Sequence, residues 1–91
     1  PRIVNVNGVT IDIVPEGHML VSENNDKPGF IGSMCSILGD NGVNIGRLHL
    51  GREAIGGRAI VFTSVDSPVP AEVIEQISNL SEIISVAQVK F

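Results

Sequence analysis

Asn24, Asp26, Pro28 and Gly29 fall in one short stretch, Asn24-Asn25-Asp26-Lys27-Pro28-Gly29-Phe30. A strand-like run, Met19 to Glu23, feeds into it, and a helix-like run, Phe30 to Leu38, leaves it. The Asp26 carboxylate can accept hydrogen bonds from an ammonium group. Pro28 pre-sets the backbone for a first helical turn, and Gly29 leaves room for a close approach. The first N–H groups of a helix have no partners inside it, so such a terminus attracts a carboxylate or phosphate. One loop thus offers partners for both ends of an amino acid. The same residues also suit an ordinary strand–turn–helix corner, with Asp26 as the helix cap.

Other reactive side chains form no constellation. Ser22, Ser33, Ser36 and Cys35 have no arranged base, so no catalytic residue is expected. His18 and His49 stand on separate strand-like runs and suit structural or surface roles better than metal ligation. Cys35 is the only cysteine, which excludes an internal disulfide and a Cys-based zinc site. Its place on an apolar helix stripe marks it as a small buried hydrophobe. Gly39-Asp40-Asn41-Gly42 and Gly56-Gly57 match no phosphate-loop or dinucleotide fingerprint. Arg47, Arg52 and Arg58 could neutralise an anion but are better read as decorating a sheet edge.

The elements that must position the loop follow from periodicity. Ile3, Val4, Val6, Val9, Ile11 and Ile13 flank Asn7-Gly8, a dipeptide that tolerates the positive φ of a tight hairpin. Strands are expected near 2–6 and 9–14, with a break at Pro15-Glu16-Gly17. A strand from about His18 to Asn24 precedes the loop. Phe30, Ile31, Met34, Cys35 and Leu38 recur at helical spacing, and Gly42 is the expected stop. Asn44 to Arg52 is expected as a strand and Ala54 to Gly57 as a turn. Arg58 to Val65 is almost continuously apolar, as a central strand would be. Pro70 is expected to open a second helix with Val73, Ile74, Ile77 and Leu80 as its buried stripe. A last strand runs from Ile83 to Phe91, with Ala87, Val89 and Phe91 on one face.

This strand–helix–strand–strand–helix–strand order predicts an α+β ferredoxin-like βαββαβ sandwich. It is a four-stranded antiparallel sheet with two helices on one face, preceded by an N-terminal β-hairpin. Residues 1–16 form the hairpin and linker, and 17–91 the domain proper. Nothing is expected to cover the second sheet face or the sheet edge, and pairing with another copy would protect that edge.

The 91 residues suffice for one small domain, and 43% hydrophobic with 18% charged residues fits a folded chain. A net charge of -4 opposes a nucleic-acid surface. RNA-recognition modules share this strand order but stack bases on sheet aromatics, whereas Phe62 is the only aromatic in the third domain strand. No apolar run reaches membrane-spanning length, and the single cysteine fits a reducing, cytoplasmic setting. Because the chain starts at Pro1, already in a strand-like pattern, it is expected to be part of a longer protein.

Gly42-Val43-Asn44-Ile45, with Asp26-Lys27-Pro28-Gly29 and Phe30-Ile31-Gly32, resembles the ACT domain family of small-molecule sensors. Pro15-Glu16-Gly17-His18-Met19-Leu20, Leu50-Gly51-Arg52 with Gly56-Gly57, and Val65-Asp66-Ser67-Pro68-Val69-Pro70 narrow the likeness. They are similar to the C-terminal regulatory domains of the D-3-phosphoglycerate dehydrogenase family. The resemblance implies L-serine as a feedback inhibitor, bound between two copies of the domain, with NAD used only by the parent enzyme. It implies Asn24, Asp26, Pro28 and Gly29 from one copy, with Asn44 and Ile45 from the other, as effector-binding residues. The likeness departs at Asn24, where serine-sensing members carry a ring residue, His or Tyr. Iron–sulfur L-serine dehydratases carry a similar domain after a similar hairpin, and a ligand-free dimerisation module would keep the same fold.

Overall fold

A computed structural model describes residues 2–6, 8–14, 16–52 and 57–91. Asn7, Pro15 and residues 54–56 of the turn expected over 54–57 lie outside the described residues. Strands β1 (Arg2–Val6) and β2 (Val9–Ile13) pair antiparallel with Val6 opposite Val9, the register of a two-residue hairpin. Gly8 has φ 88, and its N–H donates to Asn5 Oδ1 at 3.1 Å. The domain follows as β3 (His18–Asn25), α1 (Phe30–Asp40), β4 (Ile45–Arg52), β5 (Arg58–Val65), α2 (Ala71–Ser78) and β6 (Ile83–Lys90). The sheet order is β4-β5-β3-β6 with antiparallel pairing throughout, as the ferredoxin-like reading predicts.

Alternation along the central strands builds two cores. Leu20, Val61 and Val65 face Phe30, Met34 and Leu38 of α1 and Val73 and Ile77 of α2. On the opposite face Met19, Ile60 and Phe62 pack with Val9, Ile11 and Ile13 of the hairpin. The expectation that nothing covers this second face is therefore corrected. An alternating hairpin buries every other side chain only against a partner, and the odd face of β3 and the even face of β5 supply it. The contact is close: a Cβ at Gly51 would overlap the Ile11 side chain and come within 2.9 Å of Val9 Cγ1. Towards β6 the cover ends, leaving Ala87 exposed and Val21 and Val89 half-buried.

Two helix starts also differ from expectation. Gly29, with φ 91, is the N-cap of α1, so Pro28 lies outside the helix rather than in its first turn. Pro70 likewise caps α2, which begins at Ala71. Gly42, with φ 74, ends α1 in the left-handed conformation expected of it.

Candidate functional site

The loop after β3 is held by its backbone. Asn25 N–H donates to Glu82 O at 2.9 Å, and Asp26 N–H to Gly57 O at 2.7 Å. These bonds tie it to the start of β6 and to the residue that precedes β5. The left-handed turn at Gly29 then launches α1. No side chain caps that helix, and its first turn contains no acidic residue. Asp26 is thus not the cap, and the terminus keeps its partial positive charge without an acceptor side chain.

Asn24 and Asp26 precede this terminus in the chain and differ in state. Asn24 is only 3% exposed, on the helix-bearing face of β3. Its amide nitrogen donates to Asn25 O at 2.9 Å, while its Oδ1 is buried with no hydrogen-bond partner. An acceptor in that condition costs about 1–3 kcal/mol unless a donor reaches it. Asp26 is half-buried, and Arg52 Nη1 stands 3.5 Å from its Oδ2. Pro28 and Gly29 are exposed at the mouth.

Asn44 and Ile45 are not brought to this loop within one chain. Ile45 stands opposite Val65, and Asn44 O accepts from Asp66 N–H at 3.2 Å, whereas Asn24 stands opposite Ala59. The two positions lie six residue steps apart along β5, from Ala59 to Val65, roughly 20 Å. Asn44 is exposed, and Ile45 packs on the helix-side core. Arg52, expected with Arg47 and Arg58 to decorate a sheet edge, is the residue whose place at the loop the sequence did not reveal. Its role depends on the end of an edge strand meeting a loop two strands away. A lone arginine beside a glycine-rich turn signals no such meeting.

Arg58 is held by a partner on the neighbouring strand. Arg58 Nη1 pairs with Glu23 Oε2 at 3.0 Å, with side chains 25% and 12% exposed. His18 opposes Val65 and His49 opposes Phe62, which assigns them to opposite sheet faces. No group of three or more potential metal-ligating side chains occurs among the described residues. Ser22 is buried, with its hydroxyl donating weakly to Val61 O at 3.4 Å. Cys35 is half-buried, and burial pushes its thiol pKa up, which disfavours the nucleophilic thiolate.

A four-stranded antiparallel sheet in the order β4-β5-β3-β6, with both helices on one face, defines the ferredoxin-like α+β class. The family profile described as ACT domain matches residues 18–82, and the chain belongs to that family. Its relatives narrow the class. The D-3-phosphoglycerate dehydrogenase of Methanocaldococcus jannaschii is 39% identical over 87 residues, 96% of this chain and 17% of that protein. The Bacillus subtilis enzyme of the same name is 39% identical over 85 residues, 93% of this chain and 16% of that protein. That of Archaeoglobus fulgidus is 34% identical over 91 residues, 98% of this chain and 17% of that protein. The chain therefore spans about a sixth of the length of these relatives.

Proposed function

We propose that this chain is the amino-acid-sensing part of a D-3-phosphoglycerate dehydrogenase, and that L-serine is its effector. Residues 17–91 are the regulatory domain, and 1–16 belong to the segment that joins it to the rest of a cytoplasmic parent enzyme. NAD would be held by the parent's catalytic part. The observation that carries the reading is the buried, unpartnered Oδ1 of Asn24, at the end of the strand whose loop leads into an uncapped helix start. An α-amino acid answers both: its ammonium donates to Asp26 and Asn24 Oδ1, and its carboxylate lies on the α1 N–H groups.

The second half of the site comes from pairing. β4 is an edge strand, and its Leu48 and Leu50 are 39% and 44% exposed on the helix-bearing side. An isologous contact between two β4 edges runs them antiparallel. The Arg52 end of one strand, next to Asp26, then meets the start of the other. Asn44 of the partner subunit would approach the loop there and close the ligand in. Differential affinity for one arrangement of the pair would bias the attached catalytic part.

Calorimetric titration with L-serine, glycine, D-serine and L-threonine tests this. L-serine should bind, and both Asp26→Ala and Asn44→Ala should weaken it by more than about tenfold, the scale of a charge-assisted hydrogen bond. Light scattering should report a dimer or a multiple of one. A strict monomer that binds no amino acid at millimolar concentration would leave only the corner-forming role for the loop.

A further inference from the structure

The second sheet face holds a cleft of about 260 Å³, lined among others by Glu16, Met19, Gly46, Arg47, His49 and Ser64. It lies at the opposite end of the sheet from Asp26 and owes nothing to the effector reading. Its size is below the roughly 300–1,000 Å³ of pockets for drug-sized ligands, which suits a small metabolite.

A backbone irregularity equips this cleft. Along β4, Ile45 stands opposite Val65 but Arg47 opposite Ser64, so Gly46 is an extra residue, a β-bulge. In a regular strand residues 45 and 47 would share a face. The bulge sends Ile45 to the helix-side core and Arg47 to the face of Met19 and Ser64. Glycine suits the bulge, because a Cβ at Gly46 would come within 2.8 Å of Ser64 Oγ and force that side chain to shift. The Arg47 N–H donates to that same oxygen at 2.9 Å, which leaves the Ser64 O–H free to donate elsewhere. Arg52 and Arg58 each have a carboxylate partner, while Arg47 has no ion pair among the described residues.

We propose that this cleft is a second binding site, for a small oxyanion whose carboxylate or phosphate is held by the Arg47 guanidinium. His49 and Ser64 supply further donors. Glu16 is the one acidic side chain among the lining residues, and it weakens a purely anionic ligand by like-charge repulsion.

Methyl-13C methionine NMR on the intact protein tests the site. Met19 lines the cleft, and Met34, fully buried on the helix side, is an internal reference. Inorganic phosphate and malonate are titrated separately at constant ionic strength set with chloride. At least one should move the Met19 methyl saturably while Met34 stays still, and which one does so tells phosphate from carboxylate. Arg47→Gln should weaken the response about tenfold or more, Arg47→Lys less, and Glu16→Gln should strengthen it several-fold. An unmoved Met34 in each variant certifies the helix-side core. A Met19 methyl indifferent to both anions at tens of millimolar overturns the proposal. A response undiminished in Arg47→Gln overturns it equally.

Discussion

The two faces of the sheet are closed by different means. The helix side is sealed by α1 and α2 over Leu20, Val61 and Val65, with Met34, Leu38 and Ile77 fully buried. The other side is roofed by a two-stranded hairpin whose cover stops short of β6. The helix side serves as a rigid platform that holds a helix start against a loop. The hairpin side is only partly covered: the sheet is open towards β6, and a separate cleft lies at the β4 edge beside Arg47. The two faces thus differ in how completely their cores are closed.

Truncation on each face is the strongest way to break this comparison. Phe30→Ala removes a ring that is 1% exposed in the helix-side core and should cost about 3–5 kcal/mol. Ile11→Ala on the hairpin should cost about 2–5 kcal/mol, near the lower end because that core is open on one side. Denaturant unfolding of both variants measures the difference. If Ile11→Ala is silent, the hairpin is an appendage and the second core contributes nothing.

The sequence made the platform legible and the roof only half so. Helical spacing from Phe30 to Leu38 and the apolar run of β5 predicted the helix-bearing sheet directly. Ile60-Val61-Phe62 carried a signal of cover on both faces, since consecutive apolar residues of a strand point opposite ways, but the expectation of a bare second face passed over it. The hairpin's own alternation was visible too, but sequence does not say against which surface Val9, Ile11 and Ile13 fold. The loop's polar residues were legible because proline, glycine and a following helix have local causes. The Arg52 contact was not, because it depends on the sheet order bringing the end of β4 to a loop 26 residues away in sequence. Neither was the bulge at Gly46, which shows only in the register of β4 against β5.

Gly51→Ala probes the roof more gently. The new methyl overlaps Ile11, so either that side chain changes rotamer or the hairpin lifts, at a cost of about 1–3 kcal/mol. Amide exchange in β2 should accelerate while that in α1 does not. Combining Gly51→Ala with Ile11→Ala should cost less than the sum, because the second change makes room for the first. Strict additivity would mean that the two side chains do not meet.

The smallest effect concerns Arg52, and it sharpens the contrast between the loop and the cleft. In the cleft Arg47 has no described acid to hold it, whereas at the loop Arg52 lies 3.5 Å from the carboxylate assigned to the ligand's ammonium. That pair is partly exposed, with side chains 43% and 21% accessible, so it is worth about 0.2–1 kcal/mol. Arg52→Gln should therefore leave unfolding stability within about 1 kcal/mol. An incoming ammonium must share Asp26 with the guanidinium or displace it. Removing the competitor should raise L-serine affinity by up to about fivefold, the same energy read as binding. Added salt screens the competing pair, so the advantage of the variant should shrink between low and high ionic strength. Calorimetry at two salt concentrations on both proteins reads all of this. A loss of affinity in Arg52→Gln would carry the opposite meaning: the guanidinium grips the ligand's carboxylate, and the start of α1 is not the anion site.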